Sequence, residues 1–89
     1  MKILKKVSNI EDLANIFETA LHNFSEYVYI EVTIPKQKET EYIVNKRSSI
    51  LNKLEYYKNT YDENLIHKNC KEIKIISAGY VQSYIDLED

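Results

Sequence analysis

The sequence predicts an α+β fold: a small antiparallel sheet of three to four strands with two helices packed on one face. Three observations carry this. One segment repeats its apolar residues at helical spacing behind a capping signal, two further segments alternate with period two, and a single helical stripe separates them from a late β-branched run. If residues 2–7 form a strand as well, the element order is βαββαβ, the split βαβ or ferredoxin-like order, and 89 residues suit it. That fold makes its first strand central, a poor position for Lys5-Lys6. A three-stranded sheet with two helices is the fallback.

The first helix is expected over residues 9–24. Ser8 and Glu11 stand at capping-box spacing, and Ile10, Leu13, Ile16, Phe17, Ala20, Leu21 and Phe24 recur at three and four residues along one face. Residues 27–34 form the next element, a strand in which Val28, Ile30, Val32 and Ile34 alternate with Tyr27, Tyr29, Glu31 and Thr33. Pro35 ends it, and polar residues 36–39 connect it to a second short strand at 40–44. Asn45, Ser48 or Ser49 caps a second helix carrying Ile50, Leu54, Tyr57 and Tyr61, with its end near 62–64. Residues 65–72 are polar and ambiguous. A last strand at 71–78 centres on Ile73, Ile75 and Ile76, with Gly79 marking its end or a bulge. Beyond it Tyr80, Val81, Tyr84, Ile85 and Leu87 are apolar enough to dock, whereas Glu88 and Asp89 are expected to fray.

No repeat, low-complexity run or Gly/Ser/Pro linker interrupts the chain, so the reading is one domain over 1–89. A net charge of −2 implies no bulk attraction to an acidic or basic partner. The single cysteine, Cys70, permits no intramolecular disulfide, and no apolar run of signal-peptide or membrane-span length follows the basic N-terminus. A cytoplasmic protein with no membrane contact is therefore expected.

Chemistry finds little material. His67-x-x-Cys70 and His22 supply one ligand pair and a scattered third, whereas zinc sites are usually built from two paired motifs. No Gly-x-Ser-x-Gly elbow is present, and one glycine in the chain cannot build a phosphate-cradling loop. The expectation is no enzyme, no metal and no cofactor.

Binding fits better. Eight tyrosines stand against two phenylalanines and no tryptophan. Tyr57 and Tyr61 fall on the apolar helical face, but Tyr27 and Tyr29 occupy the strand face opposite Val28, Ile30 and Val32. With Ile43 turned inwards, Tyr42 and Val44 join them on the open side of the sheet, a contiguous apolar patch of the kind that marks an interface. Tyr56 adds an outward aromatic on the second helix. The competing reading has the segment from Tyr80 to Leu87 fold back over this face. Between Lys46 and Lys74 lie seven basic residues and four acidic ones, so a nucleic-acid site on Lys46, Arg47, Lys53 and Lys58 is the alternative, although the aromatic and glycine signature of RNA-recognition motifs is lacking. Self-association into a homodimer through the apolar sheet face is a third reading.

The segment Lys53-Leu54-Glu55-Tyr56-Tyr57-Lys58-Asn59-Thr60-Tyr61-Asp62-Glu63-Asn64-Leu65, followed by Glu72-Ile73-Lys74-Ile75, resembles a recurring piece of small accessory proteins of phages and prophages from low-GC bacteria. The resemblance spans about a third of the chain and supplies no catalytic motif. It implies a partner class: such proteins commonly bind host proteins in the host cytoplasm, including CRISPR nucleases and other defence components, and inhibit them sterically.

Overall fold

The computed structural model describes residues 2–82. Its elements are β1 (Lys2–Lys6), α1 (Ile10–His22), β2 (Tyr27–Thr33), β3 (Thr40–Lys46), α2 (Ile50–Thr60) and β4 (Ile75–Val81), with a 3₁₀ turn at Arg47–Ser49 leading into α2. The α+β class and the βαββαβ order are as expected, with four strands and two helices. The sheet order is β1-β4-β2-β3, antiparallel throughout. β1 is thus an edge strand rather than the central strand of the ferredoxin-like arrangement. That position resolves the difficulty of Lys5-Lys6, since charge is tolerated on an edge where one side of the ladder faces water.

Both helices lie on one face of the sheet. Val28, Ile30 and Val32 of β2 meet Leu13, Ile16, Phe17 and Ala20 of α1 and Ile50, Leu54 and Tyr57 of α2 in one contiguous core. The α1 cap sits one residue later than the sequence suggests: Asn9, not Ser8, is the cap, its Oδ1 accepting from the Asp12 amide at 2.9 Å. Asp12 in place of Glu11 reaches back, its carboxylate accepting from the Ser8 amide at 2.9 Å. The helix ends at His22 in a Schellman arrangement, with the Phe24 and Ser25 amides donating to the Leu21 and Ala20 carbonyls. Phe24 therefore leaves the apolar face on which it was expected. It stands 74% exposed with φ of 56°, in the left-handed region that usually holds glycine.

α2 has no side-chain cap; Asn45, one of the expected caps, instead donates from Nδ2 to the Tyr57 hydroxyl at 3.1 Å inside the core. The connection to β4 is well bonded. The Asp62 carboxylate accepts from the amides of Asn64 and Ile66, and isolated bridges pair Tyr61 with His67 and Ile66 with Lys74. This is why β4 begins at Ile75, later than expected, and Gly79 lies inside it rather than at its end. Of the C-terminal segment proposed as a cover, Tyr80 and Val81 belong to β4 and residues 83–89 fall outside the described residues.

Candidate protein-binding edge

Register assigns the faces. Tyr29 pairs with Val44 and Glu31 with Tyr42, so Tyr42 and Val44 point to the open face with Tyr27 and Tyr29, while Ile43, opposite Ile30, points to the helix face. Facing inwards does not bury Ile43. β3 lies at the margin of the sheet, and Tyr42, Ile43 and Val44 remain 51%, 38% and 46% exposed in sequence. Among the described residues β2 is the strand paired with β3, and the outer hydrogen-bonding side of β3 has no strand against it.

Tyr29 corrects the expected four-residue patch. It is on the open face as predicted, yet only 2% exposed. Its ring crosses the position of Gly79 on β4, its hydroxyl donates to the Ile3 carbonyl of β1, and burial, then the neighbouring Tyr42, push its pKa up to about 12. Tyr29 is a structural tie across three strands. Tyr27 is half-buried. Among the described residues the exposed aromatic of this face is Tyr42, held edge-to-face against Tyr29 with centroids 6.4 Å apart.

Glu31 fixes the same edge. Its carboxylate accepts from the Thr40 hydroxyl of β3 and, at 2.7 Å, from the Ser77 hydroxyl of β4. The Thr40 bond first, and the Ser77 bond second, lower its pKa below the usual carboxylate value.

On the helix side Tyr56 is 53% exposed, with the Lys53 ammonium 5.2 Å from its ring centre. Tyr56, Lys53, Ile43, Glu41, Ile34 and His67 line a groove between α2 and the sheet. Tyr42 with Val44 and Tyr56 therefore flank opposite faces of one edge, joined by Ile43. Alternation turns Ile43 inwards, as the register confirms, but it reports only a side chain's face, whereas coverage depends on how far the helices extend.

The four basic residues have different surroundings. Arg47 is engaged internally: its guanidinium donates to the Leu21 carbonyl at 3.1 Å and the Ser25 carbonyl at 3.5 Å, and lies 5.0 Å from the Phe24 ring centre. It closes the C-terminus of α1, where a cation complements the helix dipole. Lys53 covers Tyr56, whereas Lys46 at the end of β3 and Lys58 on α2 are exposed on different elements.

His67 is occupied as well: Nδ1 accepts from the Asn69 amide at 3.0 Å, and the ring packs edge-on against Tyr61. Among the described residues no three His, Cys, Asp or Glu side chains are grouped to hold a metal ion, and no helix is long and apolar enough to cross a membrane. Compared with known proteins, the chain matches no family model, no curated protein and no solved structure.

Proposed function

We propose that this protein is a non-catalytic binding protein that works by protein–protein contact along the β3 edge. The observation that carries the reading is the run Tyr42-Ile43-Val44, apolar on both faces of an edge strand and exposed at every position. Natural sheets blunt their edges with lysine, proline, bulges or short strands. The opposite edge does so: Lys2, Lys5 and Lys6 make up three of the five residues of β1. β3 keeps its charges at Glu41 and Lys46, either side of the apolar centre.

The resemblance to phage and prophage accessory proteins adds the class of target. On that reading the contact sterically inhibits or modulates a host protein, such as a CRISPR or other defence component, in the host cytoplasm. Affinity capture from host cells followed by mass spectrometry tests it, comparing wild type with a Tyr42→Ser, Val44→Ser double variant. Both positions are half exposed, so the variant is expected to stay folded by circular dichroism and to lose the partner. A folded variant that captures the same partner at wild-type yield refutes the assignment to this edge.

A further inference from the structure

The sequence of β3 identifies a partner for its own edge. Resting on the reading of β3 as a protein-docking edge, we infer that this edge pairs with β3 of a second copy of the chain, antiparallel and centred on Ile43, to give one continuous sheet across a two-fold axis.

The register follows from symmetry. Antiparallel pairing of identical edge strands requires the two-fold axis to run along the sheet normal, so each face stays on its own side and directly opposed residues share a face. Only registers centred on a residue meet this condition. Centred on Ile43, the strand Thr40–Lys46 opposes Tyr42 to Val44 of the second copy twice over on the open face, and Ile43 to Ile43 on the helix face. Aromatic to β-branched and β-branched to β-branched pairs are the favourable cross-strand combinations. Glu41 meets Asn45 and Thr40 meets Lys46, so no like charges oppose each other. A register centred on Tyr42 sets Glu41 against Ile43, and one centred on Val44 sets Ile43 against Asn45; each breaks the apolar match.

The pairing also accounts for the exposed residues around the edge. Ile43 and Tyr56 line the same groove, so the symmetric Ile43 contact brings the two grooves and their Tyr56 rings together on the helix side. On the open face the dimer carries Tyr42 and Val44 from both copies in one band, which stays uncovered for a host protein while the backbone edge of β3 is paired. The dimer thereby builds the contiguous apolar surface that burial of Tyr29 denies to the single chain. The β1 edge, rich in lysine, stays outermost at both ends and opposes further growth.

Sedimentation or light scattering on the full chain at about 100 μM, well above a micromolar dissociation constant, reads the first outcome: twice the chain mass. Ile43→Lys sets two ammonium groups opposite each other and is expected to give a folded monomer. Ile43→Lys mixed with Ile43→Glu is expected to restore a one-to-one dimer. In a Cys70→Ser background, Ile43→Cys is expected to oxidise to a covalent dimer, because directly opposed strand residues lie within disulfide range, whereas Glu41→Cys is expected not to link. A monomeric wild type, a dimer that survives Ile43→Lys, or equal linking at 41 and 43 overturns the self-pairing. Those results leave the host-capture experiment intact, and a dimer that captures no host protein overturns the host reading alone.

Discussion

Replacing Gly79 by alanine adds one carbon at the centre of the sheet, and the structure places that carbon badly. A Cβ at residue 79 would fall inside the backbone carbonyl of Ile3 and 2.7 Å from the Tyr29 hydroxyl. A flexible side chain could move away at little cost, but Ile3 is part of β1, whose five residues are all paired with β4. Accommodation therefore requires β1 to shift away from β4. Overpacking of this kind costs about 1–3 kcal/mol, and loss of the Tyr29–Ile3 hydrogen bond adds roughly 1 kcal/mol. A protein of this length has only about 4–13 kcal/mol of total stability, so the substitution is expected to remove about 3 kcal/mol of it. Urea unfolding followed by far-UV circular dichroism should show the midpoint falling by roughly 1–3 M. The double variant with Tyr29→Phe separates the two contacts. It relieves the hydroxyl but leaves the Ile3 carbonyl in place, so no rescue is expected. A Gly79→Ala protein within about 0.5 kcal/mol of wild type, a range typical of unconstrained surface changes, refutes the reasoning; full rescue by Tyr29→Phe would shift the blame to the tyrosine.

Two further perturbations test the C-terminus of α1 and the carboxylate that links β2 to its neighbouring strands. Phe24→Gly is expected to stabilise the protein by up to about 1 kcal/mol, because relief of left-handed strain of about 1–2 kcal/mol outweighs the exposed cation–π contact with Arg47, worth about 0.5–1 kcal/mol; a urea midpoint lower than wild type contradicts this. For Glu31 the folded pKa lies below the unfolded value, so its contribution is present above about pH 4.3 and is lost as pH falls through the folded value. The stability gap between wild type and Glu31→Gln, measured by urea unfolding, should accordingly be larger at pH 7 than at pH 3. A gap that does not change with pH would mean that the bonds from Thr40 and Ser77 do not depend on the carboxylate charge.

The parts of the fold that rest on local patterning were legible in the sequence. Six of the seven apolar residues at helical spacing lie in α1, and the alternation through residues 27–34 gave β2 and its two faces. The cap of α1 was displaced by one residue because Ser8-Asn9 and Glu11-Asp12 offer two chemically equivalent pairings. Long-range facts were out of reach. Gly79 reads locally as a strand end, and only the ring of Tyr29 and the backbone of Ile3 crossing its position show why glycine belongs inside β4. Alternation put Tyr29 on the open face correctly and said nothing of the glycine beneath it. Charge counting admitted Arg47 to a nucleic-acid surface, although the carbonyls of Leu21 and Ser25 already hold it.

The two edges of the sheet differ in how charge and exposed apolar surface are divided between them. At one side β4 is enclosed, with Gly79 bringing β1 close and Tyr29 tying β2 to it, and the outward strand is rich in lysine. At the other side Glu31 bonds Thr40 and Tyr29 packs edge-to-face against Tyr42, while Tyr42, Ile43 and Val44 stay exposed. An edge stabilised from beneath but unprotected outwards loses little conformational freedom when another strand arrives, which removes part of the ordering cost that otherwise opposes association. On the proposed reading of β3 as a docking edge, support from beneath coincides with an exposed apolar strand, where β1 carries lysine instead.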